Sequence, residues 1–283
     1  MKLIALIPFK NEEWILPTCL SSLNGVCDQI ICIDDGSSDN SRHIAESYGS
    51  MVYDNDKLTN VGWSEHHIRQ NLLRLGREAG GTHFICLDAD ESITAPLRDN
   101  IRSLIREMRP GQKLSLQWLA MWKNTTAFRD DQSVWSKNFK DFVVCDDGSV
   151  SHDYNWMHVG RTPGPNNNQT LISVPTEIGA IMHFQFSNWQ NFQIKQCYYR
   201  CAELIHKPGT ERSINEMYRI TLDDNVMNMS KVPDCWYSNQ TLPAIDSARV
   251  DWRFERIKTY FAEYGAEYFR NLEIWHLDAI RSL

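Results

Sequence analysis

Short apolar runs alternate with amphipathic segments along the first hundred residues. The runs predicted as strands lie at residues 3–7 (LIALI), 29–33 (QIICI), 51–53 and 84–87 (FICL). Segments with helical spacing of apolar positions lie at residues 11–23, 41–48 and 65–79. Asn11 is expected to cap the first of these helices. Continuous apolar runs are typical of strands covered on both faces, and strands that alternate with helices form βαβ units. The pattern therefore predicts an α/β fold with a mainly parallel sheet and helices on both of its faces.

The pattern changes after about residue 100. Later strand candidates lie at residues 113–121 and 178–186, with short strands and polar loops over residues 124–176. From Asn188 onward, apolar residues recur at helical spacing, and a last helix is expected near residues 251–272. We therefore expect an α/β domain over residues 1–186 and a helical extension over residues 187–283 that packs on it.

Composition narrows the classes of function. Of 283 residues, 42% are apolar and 23% are charged, and the formal net charge is −7, so a strongly basic nucleic-acid-binding protein is not expected. No apolar run approaches the roughly 18 residues needed to span a bilayer, and the opening segment lacks the cleavage site of a signal peptide. The eight cysteines form no C-x-x-C pair, which is typical of reduced thiols. We expect a cytoplasmic protein without a transmembrane segment; peripheral contact with the inner face of a membrane and the oligomeric state stay open.

Two acidic clusters follow predicted strands. Asp88 and Asp90 come directly after FICL, and Asp34 and Asp35 come directly after QIICI. In open α/β sheets, functional groups collect at the carboxyl ends of the strands, so we expect both clusters at one edge. Paired carboxylates of the D-x-D kind suit Mg²⁺ or Mn²⁺, which also bind diphosphate oxygens. Carboxylates at a turn can accept hydrogen bonds from ribose hydroxyls or a base. The alternative is that both clusters are ordinary solvated turns that cap helices.

The motifs IPFKNEE, IDDGSSDNS and LDADE, in this order and at this spacing, resemble those of inverting glycosyltransferases of family 2, which have the GT-A fold. The resemblance is specific over residues 1 to about 95 and looser to about 205. It implies a metal-dependent transferase, of the hexosyltransferase type, that moves a sugar from a UDP-, dTDP- or GDP-sugar to a carbohydrate or glycolipid acceptor. Bacterial polysaccharide or lipopolysaccharide assembly is the implied setting. Residues 1–100 would be the nucleotide-binding half and residues 101–186 the acceptor half, roofed by the loop at 150–176.

The resemblance also assigns roles to individual residues. The nucleotide contacts that it implies are Pro8, Glu12, Asp34, Asp35, Arg69 and Asp88. The divalent metal, Mn²⁺ or Mg²⁺, would be held by Asp88 and Asp90. The segment IMHFQF is similar to the lipopolysaccharide-core branch of the family, in which a histidine lies near the metal, and this makes His183 a candidate third ligand. His158 and Arg161 are candidates for binding the diphosphate or the acceptor.

The catalytic base is the least determined part of the site. An inverting transfer is a single displacement in which a carboxylate takes the proton of the acceptor hydroxyl. Asp153, in the loop just before His158, is the preferred candidate, and Glu91 beside the D-x-D motif is another. Further candidates are Asp146, Asp147 and Glu177. The lipopolysaccharide-core branch carries a histidine-glutamate pair before the later strand, whereas Val159 follows His158 here. The base therefore stays open, and so does a retaining mechanism.

Two other classes of protein compete with this interpretation. LDADES also fits the nucleophile motif of haloacid-dehalogenase-type Mg²⁺-dependent phosphatases, with Asp88 as nucleophile, Asp90 as acid and base, and Asp223 with Asp224 near the metal. That motif normally opens its domain, whereas some eighty residues precede it here, and the two earlier motifs are left unexplained. The other alternative is a non-catalytic module that binds nucleotides or carbohydrates.

Overall fold

A mixed sheet with helices on both of its faces forms the centre of the fold. The computed structural model describes residues 1–55, 64–131, 133–164, 170–219, 228–245 and 249–283. The strands are β1 (Leu3–Phe9), β2 (Gln29–Asp34), β3 (Met51–Asp54), β4 (His83–Cys86), β5 (Glu91–Ile93), β6 (Lys113–Ala120), β7 (Ala127–Arg129), β8 (Phe139–Cys145), β9 (Leu171–Ser173), β10 (Ala180–His183) and β11 (Met229–Lys231). The helices are α1 (Leu16–Leu23), α2 (Ser41–Ser47), α3 (Glu65–Glu78), α4 (Ala95–Arg106), α5 (Trp189–His206), α6 (Glu211–Arg219), α7 (Arg253–Tyr264) and α8 (Asp278–Arg281).

The main sheet joins a parallel half to a mixed half. In the described part of the chain it has nine strands in the order β3-β2-β1-β4-β8-β6-β10-β5, with β9 paired to β6. Strands β1 to β4 are mutually parallel, whereas β8 is antiparallel to both of its neighbours, β4 and β6. This arrangement confirms the predicted α/β class of the GT-A type, since most strand pairs are parallel and helices cover both faces.

Strand β1 alternates its side chains between two apolar cores. Leu3, Ala5 and Ile7 pack with α1 and α4 on one face, whereas Ile4 and Leu6 pack with α3 on the other. All five side chains are buried, and each large aliphatic one contributes about 1.5–3 kcal/mol of transfer free energy. Because both faces are covered, the strand needs apolar residues at every position, which is why LIALI predicts it so clearly.

The pairing of β5 with β10 positions the D-x-D segment. The two short strands run antiparallel, with Glu91 opposite His183. The Phe184 amide also donates to the Asp90 carbonyl at 2.8 Å. These backbone contacts hold His183 beside the acidic motif that follows β4. Neither β5 nor α4 was predicted from the sequence, and α4 begins at a Thr94 cap that is itself buried.

Asn11 does not cap α1, so that prediction is wrong. The helix begins at Leu16, and Asn11 adopts a left-handed backbone conformation with φ of 54°. Its side-chain oxygen accepts hydrogen bonds from the Ser38 and Asp39 amides at 2.6 and 3.3 Å. Its own amide donates to the Ser37 hydroxyl at 3.0 Å. Asn11 therefore ties the first motif to the turn of the second, and residues 12–15 form a turn before the helix.

Two other boundaries differ from the prediction for local reasons. The strand expected over 178–186 ends at His183, because residues 184–186 form a single 3-10 turn. The helix expected to reach residue 272 ends at Tyr264, because Gly265 takes φ of 79° and a second 3-10 turn follows. Residues 165–169 of the predicted roof lie outside the described residues.

The C-terminal helices share an apolar cluster of their own. Ile194, Cys197 and Leu204 of α5 pack with Ile257 of α7, and Met157 from the loop after β8 joins the same cluster. This contact brings the later helices against a loop of the sheet region. The proposed division of the chain at residue 186 stays a prediction. Among the described residues, no helix is both long enough and apolar enough to cross a membrane.

We expect Gly179→Ala to destabilise the protein, because Gly179 leads into β10 against helix α4. A Cβ atom there would lie 2.7 Å from the Leu97 Cβ and 3.0 Å from the Leu97 Cα, so the backbone must shift. Overpacking of this kind costs about 1–3 kcal/mol, which urea denaturation would measure. Gly160→Ala is the matched control, since its Cβ would meet nothing closer than 3.6 Å. Equal losses in the two variants would contradict the packing argument.

Candidate functional site

A cavity of about 640 Å³ opens at the carboxyl ends of β1, β2 and β4. Its other walls come from β6, β8 and β10, from the loop at residues 157–161, from α5, and from the start of α7. The predicted site residues that line it are Pro8, Glu12, Asp35, Arg69, Asp88, Asp90, His158, Arg161 and His183. The volume is in the range of small-molecule sites, roughly 300–1,000 Å³. The cavity thus gathers residues that lie as far apart in sequence as Pro8 and His183.

Three predicted site residues do not line this cavity. Asp34 is buried, and its carboxylate accepts from the Ser37 amide at 2.8 Å and from the Arg42 guanidinium at 3.3 Å, so it shapes the turn. Asp153 is exposed, and its carbonyl oxygen lies 2.8 Å from His66 Nδ1. Glu91 is fully buried below the D-x-D motif. The structure therefore brings neither candidate carboxylate base, Asp153 or Glu91, to the cavity wall.

The nucleotide-motif end of the cavity is built around Asp35. Its side chain accepts a hydrogen bond from Asn55 at 2.6 Å, and its carbonyl accepts one from Lys10 Nζ at 2.8 Å. Glu12 also lines this end and accepts from the Trp14 indole at 2.8 Å. Burial raises the pKa of Glu12 to about 7, and the Arg253 guanidinium 3.8 Å away opposes this rise.

Asp88 lies between two guanidinium groups. Arg69, from α3, contacts one carboxylate oxygen at 2.9 Å, and Arg161 contacts the other at 2.7 Å. Glu65 lies one turn before Arg69 on the same helix face, and its carboxylate accepts a hydrogen bond from Arg69 Nε at 2.8 Å. Burial disfavours the charged carboxylate, but Arg161 and Arg69 outweigh it and hold the pKa of Asp88 well below its usual range.

Arg161 also contacts Glu91, the residue that follows the D-x-D motif. Its guanidinium contacts both carboxylate oxygens of Glu91, at 2.5 and 3.1 Å, and Glu91 accepts the Asp88 amide at 2.7 Å. Burial raises the pKa of Glu91 to about 7, while Arg161 opposes the rise. Glu91 is thus a positioning residue of the D-x-D loop, because its carboxylate is occupied by Arg161 and the backbone.

Asp90 faces a histidine and a lysine. His183 Nε2 lies 3.5 Å from one of its carboxylate oxygens, and Lys195 Nζ lies 3.3 Å from the other. Burial disfavours ionisation, but Lys195 and His183 lower the pKa of Asp90 below its usual range. Burial also lowers the pKa of His183 to about 4, so its imidazole is neutral at pH 7. The His183 ring stacks on Trp118, with ring centroids 4.1 Å apart.

The three predicted metal residues are not gathered into one closed set. Within the described ranges, no group of three or more His, Cys, Asp or Glu side chains is arranged to hold a metal ion. Asp90 and His183 face each other, whereas Asp88 is turned to its two arginines. The physical reason is charge, since the guanidinium groups of Arg69 and Arg161 neutralise the Asp88 carboxylate.

Several cavity residues were not predicted because they carry no local motif. Lys195 on α5 and Trp252 and Arg253 at the start of α7 all line the cavity. Lys140 on β8 lies with Nζ 3.8 Å from the centroid of the Trp118 ring, and burial lowers its pKa to about 8. Helical periodicity in the sequence indicates α5 and its apolar face, but it does not say that Lys195 points at the D-x-D loop.

Comparison with known proteins agrees with the motifs. A family model described as glycosyl transferase family 2 matches residues 4–154. An uncharacterized glycosyltransferase of Rickettsia bellii (strain RML369-C) is 25% identical over 160 residues, which are 54% of this chain and 51% of that protein. The chain therefore spans about half the length of this curated relative.

Solved structures overlap with a smaller part of the chain. A mycobacterial protein aligns over 42% of this chain and 41% of its own, with 16% identity and a TM-score of 0.35. Glucosyl-3-phosphoglycerate synthase from Mycobacterium tuberculosis, in complex with Mn²⁺, uridine diphosphate and glucosyl-3-phosphoglycerate, aligns over 42% of this chain and 44% of its own. That pair is 19% identical, with a TM-score of 0.32.

Removal of the Arg161 guanidinium is expected to destabilise the fold strongly. Arg161→Ala leaves Glu91 buried without its cation, a change that costs about 3–5 kcal/mol of unfolding free energy. Adding Glu91→Gln should recover part of the loss, because the stranded charge is then removed. Arg74→Ala is the control, since its ion pair with Glu78 is exposed and worth about 0–1 kcal/mol. If Arg161→Ala were as stable as Arg74→Ala in chemical denaturation, the buried network would not stabilise the fold.

Proposed function

We propose that this chain, which belongs to glycosyl transferase family 2, transfers a sugar from a nucleoside-diphosphate donor to a hydroxyl acceptor. The reaction would take place in the 640 Å³ cavity. The observation that carries the proposal is the convergence of Asp35 with the D-x-D pair in one cavity that is also lined by arginine and lysine. Such a cavity can bind a nucleoside at one end and a diphosphate at the other. The reaction class follows from the family; the donor and the acceptor are proposals.

The donor would lie along the carboxyl ends of β1, β2 and β4. Pro8, Lys10 and Asp35 would contact the nucleoside, with Asp35 accepting from a ribose hydroxyl or a base N–H. Asp34 would act indirectly, since its bonds to Ser37 and Arg42 hold the turn in shape. The planar guanidinium of Arg69 suits the diphosphate, because it can donate two parallel hydrogen bonds to phosphate oxygens.

Asp90 and His183 fit a divalent cation. A carboxylate oxygen and an imidazole nitrogen 3.5 Å apart are close to the roughly 3 Å that separates two ligands bound to a metal at about 2.1 Å. The neutral imidazole, favoured by burial, is the form that can bind a metal. The chemistry of these two ligands favours Mn²⁺ or Mg²⁺, which Asp90 and His183 would hold. When bound, such an ion neutralises negative charge on the departing diphosphate.

The transfer would be a single displacement with inversion at the anomeric carbon. Arg69, Arg161 and Lys195 keep positive charge where the diphosphate leaves, and the buried walls exclude water from it. We propose a carbohydrate or glycolipid acceptor that enters past the loop at residues 157–161. Aromatic side chains line this part of the cavity, namely Tyr198, Tyr199 and Trp252, and their flat faces suit sugar C–H groups.

The phosphatase alternative is weakened by the pairing of Asp88. A nucleophilic carboxylate needs a free oxygen, whereas both oxygens of Asp88 contact guanidinium groups. Asp223 and Asp224, which that alternative would place near Mg²⁺, lie outside the described residues. A non-catalytic binding module is distinguished by turnover, since it would bind a nucleotide sugar without releasing its diphosphate.

We expect one nucleoside diphosphate to bind tightly only when a divalent metal and Asp90 are both present. Isothermal calorimetry would compare UDP, GDP and dTDP, with CMP as a monophosphate, each with and without Mn²⁺. Asp90→Asn keeps the shape of the side chain but removes its charge, so affinity should fall at least about tenfold, or 1.4 kcal/mol.

Asp99→Asn is the matched control, because Asp99 is 72% exposed on α4 and does not line the cavity. It should bind like the wild type, and circular dichroism should show all variants folded. Nucleotide binding that is indifferent to metal and to Asp90 would contradict the proposal. Release of phosphate from a phosphomonoester, without nucleotide binding, would support the phosphatase alternative.

A further inference from the structure

His158 is held in an unusual backbone conformation at the cavity wall. Its φ is 60°, the left-handed region that residues other than glycine rarely adopt. Its side chain is 55% exposed and lines the cavity. Strained backbone of this kind persists only where the surroundings determine it, and it occurs often in active sites. The contacts that hold the imidazole in this conformation are therefore relevant to the function of the site.

Two helices hold the imidazole of His158. Its Nε2 lies 3.1 Å from Glu203 Oε1 on α5 and 3.1 Å from the Tyr218 hydroxyl on α6. The Tyr218 hydroxyl also donates to the same oxygen of Glu203. The Glu203 side chain is only 14% exposed, yet its contacts with His158 and Tyr218 outweigh burial and lower its pKa. Glu203 is therefore an ionised acceptor at neutral pH.

An ionised Glu203 selects one tautomer of the neutral imidazole. Nε2 carries the proton and donates to Glu203, so Nδ1 keeps its lone pair. Among the described residues, Nδ1 of His158 has no hydrogen-bond partner. This is the logic of a histidine base oriented by a carboxylate, in which the second nitrogen is free to accept a proton.

The position of His158 also suits this role. Arg161, three residues later, contacts Asp88 at 2.7 Å, so the loop that carries His158 is anchored to the D-x-D motif. None of the five carboxylates considered as bases from the sequence lines the cavity, namely Glu91, Asp146, Asp147, Asp153 and Glu177. Glu203 reaches the imidazole of His158 from α5.

We propose that His158, oriented by Glu203, is the general base for the acceptor hydroxyl, an inference that rests on the proposed function. Nδ1 takes the hydroxyl proton as the acceptor oxygen forms its bond to the anomeric carbon. The bond between that carbon and the diphosphate oxygen breaks, and its electron pair leaves with the nucleoside diphosphate. Glu203 and Tyr218 are positioning residues that stabilise the imidazolium and keep its ring in place.

Charged groups and aromatic rings from two helices surround His158. Glu203 and Tyr199 face it from α5 and Tyr218 from α6. Arg200 lies 5.2 Å from the centre of the Tyr218 ring, and Lys207 acts electrostatically on Glu203. Replacement of Glu203 by glutamine would remove the charge that stabilises the imidazolium formed when Nδ1 accepts the proton.

The test is hydrolysis of the nucleotide sugar whose diphosphate binds in calorimetry, with water as the acceptor and Mn²⁺ present. We expect His158→Gln to lower kcat at least about 100-fold with little change in donor KM. Glu203→Gln should lower kcat about tenfold, also with little change in donor KM, and Tyr218→Phe should have a smaller effect. His66→Gln is the control, since His66 lies nearby but does not line the cavity.

A wild-type kcat in His158→Gln would overturn the proposal. Absence of nucleotide binding in the wild type would instead count against the proposed transferase function. The histidine can then be tested without turnover, by ¹⁵N NMR of the imidazole nitrogens in the full chain. A neutral His158 with its proton on Nε2, and a changed Nε2 signal in Glu203→Gln, is the expected result. A proton on Nδ1 would overturn the assignment.

Discussion

The crowded charges of the D-x-D loop are the constraint on which the site depends. Asp90 and Glu91 are buried and Asp88 is partly exposed, and carboxyl groups removed from water stay ionised only beside cations or hydrogen-bond donors. Arg161 contacts both Asp88 and Glu91, and Lys195 contacts Asp90. Because these cations come from the loop after β8 and from α5, neutralising one short turn requires distant parts of the chain to assemble around it. The need to neutralise these carboxylates is therefore met by the same packing that brings the loop after β8 and helix α5 to the D-x-D loop.

Stacking on Trp118 adds a second connection between the charged groups of this network. The guanidinium of Arg161 lies 4.9 Å from the centre of the Trp118 ring, and His183 stacks on the same indole at 4.1 Å. His183 in turn faces Asp90. Each member is thereby held by two others, which limits the rotamers available to all of them. A site built in this way presents its oxygen and nitrogen atoms in fixed directions before any ligand arrives.

The sequence predicted the parallel half of the sheet well and the site only in part. Strands β1, β2 and β4 are covered on both faces, so their apolar runs are a local signal, and the acidic motifs follow them directly. Asn11 was misassigned because its polar side chain can cap either a helix or a neighbouring turn, and only the fold decides between them. Asp153 was favoured as base from its place in the chain, but it is exposed and does not line the cavity. Lys195, Glu203 and Arg253 could not be foreseen, because helical spacing reveals a buried face and not the partner across from it.

The contacts of residues 249–253 limit the order in which the parts of the structure can assemble. Arg249 donates to the carbonyl of Asn11 at 2.8 Å, across 238 positions of sequence. Trp252 and Arg253 line the same cavity as Pro8 and Lys10. On the ribosome, β1 to β4 can pair with one another before β8 has emerged, since the pairings among these four strands lie within the first ninety residues. The wall formed by Trp252 and Arg253 can close only after the chain has emerged as far as Arg253. Until then the cavity lacks the wall that Trp252 and Arg253 provide and stays open on that side, even where β1 to β4 are already paired.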